Sequence, residues 1–95
     1  MVGEEIWQVK ILVSGRVQGV LFRSNTKRRA DQLGIYGWVR NLPDGKVEII
    51  AQGTTENLNQ LISWCKKGPI FAKIEDVESI WQKPKEIFAS FEIVY

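Results

Sequence analysis

The nine residues Gly15-Arg16-Val17-Gln18-Gly19-Val20-Leu21-Phe22-Arg23 carry the clearest chemistry in this chain. They follow an apolar run, Ile6 to Val13, and precede a stretch with helical spacing. Two glycines at a strand-to-helix junction let successive backbone N–H groups converge on one point. A helix N-terminus behind them adds partial positive charge, so the segment suits a phosphate-like anion. Arg23, at the helix start, offers a planar, permanently charged fork that holds two oxygens at once. The helix dipole favours cations at the opposite end, so a bound anion would account for an arginine here better than a structural role does. The Gly-X-X-X-Gly spacing also serves as a plain turn in which glycine supplies φ > 0. The segment alone leaves both readings open.

The rest of the composition narrows the choice. There is no histidine and only one cysteine, Cys65. That removes Ser-His-Asp triads, Cys-His pairs, His-ligated zinc and internal disulfides. Chemistry must then run on arginine, lysine, carboxylates, amides, hydroxyls or the backbone. Cys65 falls in the apolar pattern of a helix and reads as a buried, inert thiol. Ninety-five residues suit a single domain, 1–95, with a modest core. At 44% hydrophobic and 25% charged residues, the chain fits an ordinary soluble globule. A net charge of +2 is too small to argue for nucleic acid. No apolar run approaches the roughly 18 residues of a membrane helix. The opening Met1-Val2-Gly3-Glu4-Glu5 has no signal-peptide pattern, so a cytoplasmic protein is expected.

Periodicity supplies the elements that must position the loop. Over 6–14, Trp7, Val9, Ile11 and Val13 share one face and Gln8 and Lys10 the other, as in a strand. Over 22–33, Phe22, Thr26, Ala30 and Leu33 form a helical stripe that Gly34 ends. Lys27, Arg28 and Arg29 read as its solvated face. Strands are predicted at 35–41 and 46–52, joined by the tight-turn signal Leu42-Pro43-Asp44-Gly45. Tyr36 and Trp38 read as packing residues. Thr54 or Thr55 caps a second helix, 55–67, with Leu58, Leu61, Ile62 and Cys65 inward; Lys66 and Lys67 suit its C-terminus, and Gly68-Pro69 stops it. A strand over 72–81 looks irregular because Ile74 and Val77 are three apart, and 88–95 gives a last short strand. The order β-α-β-β-α-β plus a terminal strand predicts an α+β, ferredoxin-like split βαβ sandwich, with two helices on one face of an antiparallel sheet.

Three stretches resemble the acylphosphatase family. Gly15-Arg16-Val17-Gln18-Gly19-Val20 with Phe22-Arg23 resembles its phosphate-binding loop and catalytic arginine. Gly37-Trp38-Val39-Arg40-Asn41, followed by Pro43-Asp44-Gly45 and Val47-Glu48, resembles the strand that holds its catalytic asparagine. Gly68-Pro69 with Ala72, Ile74 and Val77 resembles its Gly-Pro segment and following strand. At Leu21 the chain departs from the family's usual glycine or phenylalanine, without removing a cradle N–H. On its own spacing Asn41 reads as a turn-entry residue; the paired motifs give it a role.

The resemblance implies hydrolysis of acyl phosphates to carboxylate and inorganic phosphate, the latter also an inhibitor. Backbone N–H groups of Gly15, Arg16, Val17, Gln18, Gly19 and Val20 would hold the phosphoryl oxygens, Arg23 would bind the group, and Asn41 would place the water. No metal or cofactor is required by this scheme. No nucleic-acid or membrane partner is expected, and a monomer suffices. Two other functions fit the same fold: a non-catalytic domain that binds phosphate or an acyl phosphate, and a module that binds single-stranded RNA on the sheet. The RNA-binding signature is absent around Val47-Glu48-Ile49-Ile50.

Overall fold

Val9, Ile11 and Val13 have no exposed surface, while Gln8, Lys10 and Leu12 between them are only half-buried. This period of two marks a strand with one face on the core. In the computed structural model, which describes residues 5–95, the same logic runs through seven elements. They are β1 (Trp7–Arg16), α1 (Phe22–Leu33), β2 (Tyr36–Asn41), β3 (Val47–Gly53), α2 (Thr55–Lys67), β4 (Lys73–Gln82) and β5 (Phe91–Val94). Most of the opening segment read for a signal peptide lies outside the described residues. Among those described, no helix is long and apolar enough to cross a membrane.

The strands form one sheet in the order β4-β1-β3-β2-β5. Three pairings are antiparallel, but β5 runs parallel to β2, with Gly37 opposite Phe91 and Val39 opposite Ile93. The expected antiparallel sheet is therefore mixed. Alternation fixes a strand's faces, not its neighbour. β4 occupies one edge of the sheet, and the chain crosses to the other edge before pairing again, so a single reversal after β4 yields the direction of β2. Gln52, buried on β3, fastens that crossing. Its Nε2 donates to Gln8 Oε1 at 2.8 Å and to the Glu86 carbonyl at 2.6 Å, and its Oε1 accepts from the Phe88 N–H at 2.9 Å.

The irregular spacing in β4 has a cause. Ser14 pairs with Asp76 and Gly15 with Ile74, which leaves Glu75 as the extra residue of a β-bulge. Ile74 and Val77 thus both pack against the core although three residues apart.

Both helices cover one face. α1 buries Phe22, Thr26 and Ala30 and ends at Gly34, whose N–H bonds back to Ala30 and Asp31. α2 starts at Thr54, which accepts from the Asn57 N–H, and buries Leu58, Leu61, Ile62 and Cys65. Phe22 and Trp64 join the helices with ring centroids 5.4 Å apart. Lys27 is not merely solvated: its Nζ donates to the Phe91 carbonyl at 2.8 Å, tying α1 to β5.

Among the described residues no helix covers the other face of the sheet, which is closed over Gln52 by the segment at Glu86 and Phe88. Trp38 and Tyr36 lie there, not in the core, because Gly37 and Val39 take the inward positions of β2. The Arg40 guanidinium sits 5.0 Å from the Trp38 ring centroid. Both Arg40 and Lys10 pair with Glu48, at 2.7 and 3.3 Å. Two cations thus neutralise the buried acid of this face.

Candidate active site

β1 runs two residues past its alternating stretch, so Gly15 is a strand residue. Its φ is 124°, and a Cβ there would stand 2.1 Å from the Lys73 carbonyl oxygen. The approach of β4 is what demands this glycine. Gly19, with φ 74° and open space around it, turns the loop toward α1. Leu21 then caps α1 in the left-handed region, with φ 63° and ψ 24°. That conformation costs a non-glycine residue about 1–2 kcal/mol.

The start of α1 lacks the groups that usually satisfy a helix N-terminus. Leu21 makes no side-chain cap, and the first turn holds no acidic residue. The first intrahelical bond runs from the Asn25 N–H to the Leu21 carbonyl at 3.1 Å. The N–H groups of Phe22, Arg23 and Ser24 therefore have no helical acceptor. They add to the positive end of the helix dipole.

These donors border a cavity of about 260 Å³ lined by Val17, Gly19, Leu21, Phe22, Arg23, Ser24, Asn41, Ile93 and Tyr95. Arg23 is half-buried there. Its Nη1 makes a long 3.4 Å contact to the Val94 carbonyl, and its guanidinium lies 4.8 Å from the Tyr95 ring centroid. Among the described residues no carboxylate pairs with it. Asn41 ends β2 on the same inward side as Gly37 and Val39. Its Oδ1 is buried and has no hydrogen-bond partner. Buried polar atoms are almost always bonded, and an orphan is a sign of a missing ligand, a water or a functional role.

Gln18 does not enter the cavity. Its Nε2 donates to the carbonyls of Leu42 and Lys46 at 2.8 and 2.9 Å, lashing the loop to the hairpin that carries Asn41. Of the residues expected at the site, Val17, Gly19, Arg23 and Asn41 line the cavity, whereas Gly15, Arg16, Gln18 and Val20 do not. Arg16 continues the pairing with Lys73, and Val20 packs against the core. Leu21, Ser24, Ile93 and Tyr95 were not legible as site residues. Ile93 and Tyr95 reach it only through the parallel β5–β2 pairing, for which the sequence carries no signal.

Two other features stand apart from the cavity. A wider groove of about 560 Å³ between α1 and α2 shares none of its residues. Burial pushes the Cys65 thiol up to about 12. It is an inert core group, as its place in the helix pattern implied. Among the described residues, no group of three or more cysteine or carboxylate side chains is placed to hold a metal ion.

Comparison with known proteins gives a consistent result. The family profile described as acylphosphatase matches residues 9–93. An acylphosphatase from Rubrobacter xylanophilus is 52% identical over 71 residues, which span 75% of this chain and 64% of that relative. One from Chloroflexus aurantiacus is 44% identical over 91 residues, 96% of this chain and 99% of the relative. The crystal structure of acylphosphatase from Bacillus subtilis matches with a TM-score of 0.91 at 39% identity, over 94% of this chain and 99% of that one. A match from residue 9 to residue 93, sustained along nearly the whole of a relative and repeated in backbone shape, shows that the chain belongs to the acylphosphatase family, hydrolases acting on acid anhydrides.

Proposed function

We propose that the cavity between the loop and β2 hydrolyses the carboxyl–phosphate bond of acyl phosphates, with Arg23 binding the phosphoryl group and Asn41 placing the attacking water. The observation that supports this reading is the orphaned Asn41 Oδ1 in the lining of the same cavity as Arg23. The asparagine amide turns about its last torsion and presents an acceptor to a water in the cavity. The leaving group is a carboxylate, stable as an anion, so no strong acid is needed. Negative charge spreads over the phosphoryl oxygens in the transition state, where Arg23 and the free N–H donors of the loop and helix start neutralise it. Among the described residues no carboxylate lines the cavity to serve as a base, and the substrate's own phosphoryl group accepts the water's proton. Positioning then takes the place of activation.

On this reading the protein is a cytoplasmic monomer, residues 1–95 act as one domain, inorganic phosphate is product and inhibitor, and no metal takes part. The test is hydrolysis of benzoyl phosphate at neutral pH with a chelator present. Turnover that survives prolonged chelation supports the scheme. Phosphate binding without turnover would leave a binding module, and activity that returns only with Mg²⁺ would require another mechanism.

A further inference from the structure

Leu21 is unfavourable twice over. It holds a left-handed backbone that suits glycine or asparagine, and it is an apolar residue left 70% exposed. It belongs to no core cluster, so folding does not require leucine here. Its one distinguishing position is in the lining of the cavity that holds Arg23 and Asn41.

The cavity has two walls. Asn41, Ile93 and Tyr95 come from the sheet side; Gly19, Leu21 and Ser24 come from the loop and the start of α1. Tyr95 continues the register in which Arg40 faces Val94, so it stands beside Asn41. In-line displacement puts the water and the departing carboxylate on opposite sides of phosphorus. With the water at Asn41, the acyl group leaves on the side away from Asn41, and outside the sheet side Leu21 is the exposed apolar residue of the lining.

We propose that the Leu21 side chain contacts the acyl substituent and gives the site a preference for acyl phosphates with apolar substituents over small ones. This rests on the hydrolase reading above. An apolar substituent would cover Leu21 and remove both surfaces from water, an effect that grows with the area buried. The contact is made to a part of the substrate that does not react, so it appears mainly in KM.

The experiment compares kcat/KM for benzoyl phosphate and acetyl phosphate in the wild type, Leu21→Asn and Leu21→Met. Asparagine tolerates the left-handed backbone, and methionine keeps an apolar chain of similar size. The expected result is a benzoyl-to-acetyl ratio lowered about tenfold in Leu21→Asn, through a raised KM for benzoyl phosphate, and nearly kept in Leu21→Met. Leu21→Gly, which also suits the backbone, should repeat the asparagine result. Hydrolysis of both substrates with the same ratio in all variants overturns the inference and leaves the hydrolase reading standing. A wild type that hydrolyses neither overturns both.

Discussion

The Gln18 amide donates a 2.8 Å hydrogen bond to the Leu42 carbonyl, joining the anion loop to the residue that follows Asn41. A second bond to the Lys46 carbonyl closes the fork. Both carbonyls also accept backbone bonds within the hairpin, from Gly45 and Leu42, so losing Gln18 would strand neither. Gln18→Ala should cost about 1–2 kcal/mol of stability, measured by urea unfolding. It should also lower kcat/KM on the order of tenfold, because Arg23 and Asn41 lose their mutual register. Gln18→Glu should do no better, since a carboxylate cannot donate to two carbonyls. Wild-type rates in both variants would show that the lashing is dispensable.

Arg23 and Asn41 should fail in different ways. Arg23→Gln should abolish turnover and inhibition by inorganic phosphate, and Arg23→Lys should restore little, because a point charge does not copy a planar fork. Asn41→Ala should lower kcat on the order of 10² or more while the phosphate inhibition constant stays close to wild type. Its stability should be unchanged or higher, as the substitution removes a buried, unpartnered oxygen. Steady-state kinetics and thermal unfolding of the three variants separate these effects. A normal rate in Asn41→Ala would reduce that residue to a turn entry.

Two glycines of the same motif should respond oppositely. Gly15→Ala drives a Cβ to 2.1 Å from the Lys73 carbonyl oxygen, so backbone must move, at a cost on the order of 3 kcal/mol. Gly19→Ala meets nothing within 4 Å and should cost about 1 kcal/mol for its φ of 74°. That variant should fold yet bind phosphate weakly, since its methyl enters space the anion would use. Comparing unfolding midpoints with phosphate inhibition constants checks both. A stable Gly15→Ala would contradict the packing described here.

Cys65 supplies a prediction in pH. Burial raises its thiol from an ordinary 9.0 to about 12, so the folded protein keeps it neutral where the unfolded chain ionises it. Its contribution is complete below about pH 9 and is lost as pH rises from there toward 12. Native protein at pH 8 should resist alkylation by iodoacetamide, and denatured protein should label fully, as read by mass spectrometry. Rapid labelling of the native state would place the thiol at the surface.

What was legible in the sequence was local. The stripe of Phe22, Thr26, Ala30 and Leu33, the Thr54 cap and the Pro43-Asp44-Gly45 turn each follow from nearby spacing, and all appear in the fold. The three-residue step from Ile74 to Val77 even carried the trace of a bulge, although not its position at Glu75. What was hidden depends on partners distant in sequence. The direction of β5, the role of Gln18 as a side-chain tie and the reason for Gly15 are set by strands or turns 24 to 60 residues away. The exposure of Tyr36 follows from Gly37 and Val39 taking the inward positions, a choice of register that an aromatic-rich strand does not reveal.

The strand order β4-β1-β3-β2-β5 also orders events during synthesis. The three central strands come from the first 53 residues, and both flanking strands are made last. A nascent chain could therefore assemble the middle of the sheet and the helix that bears Arg23 while the wall supplied by Ile93 and Tyr95 is still missing. Until then two strand edges stand open to foreign pairing, the hazard of incomplete sheets. On the proposed reading, catalytic competence would arrive only with β5 and Tyr95, which makes enzyme activity a sensitive reporter of completed sheet assembly.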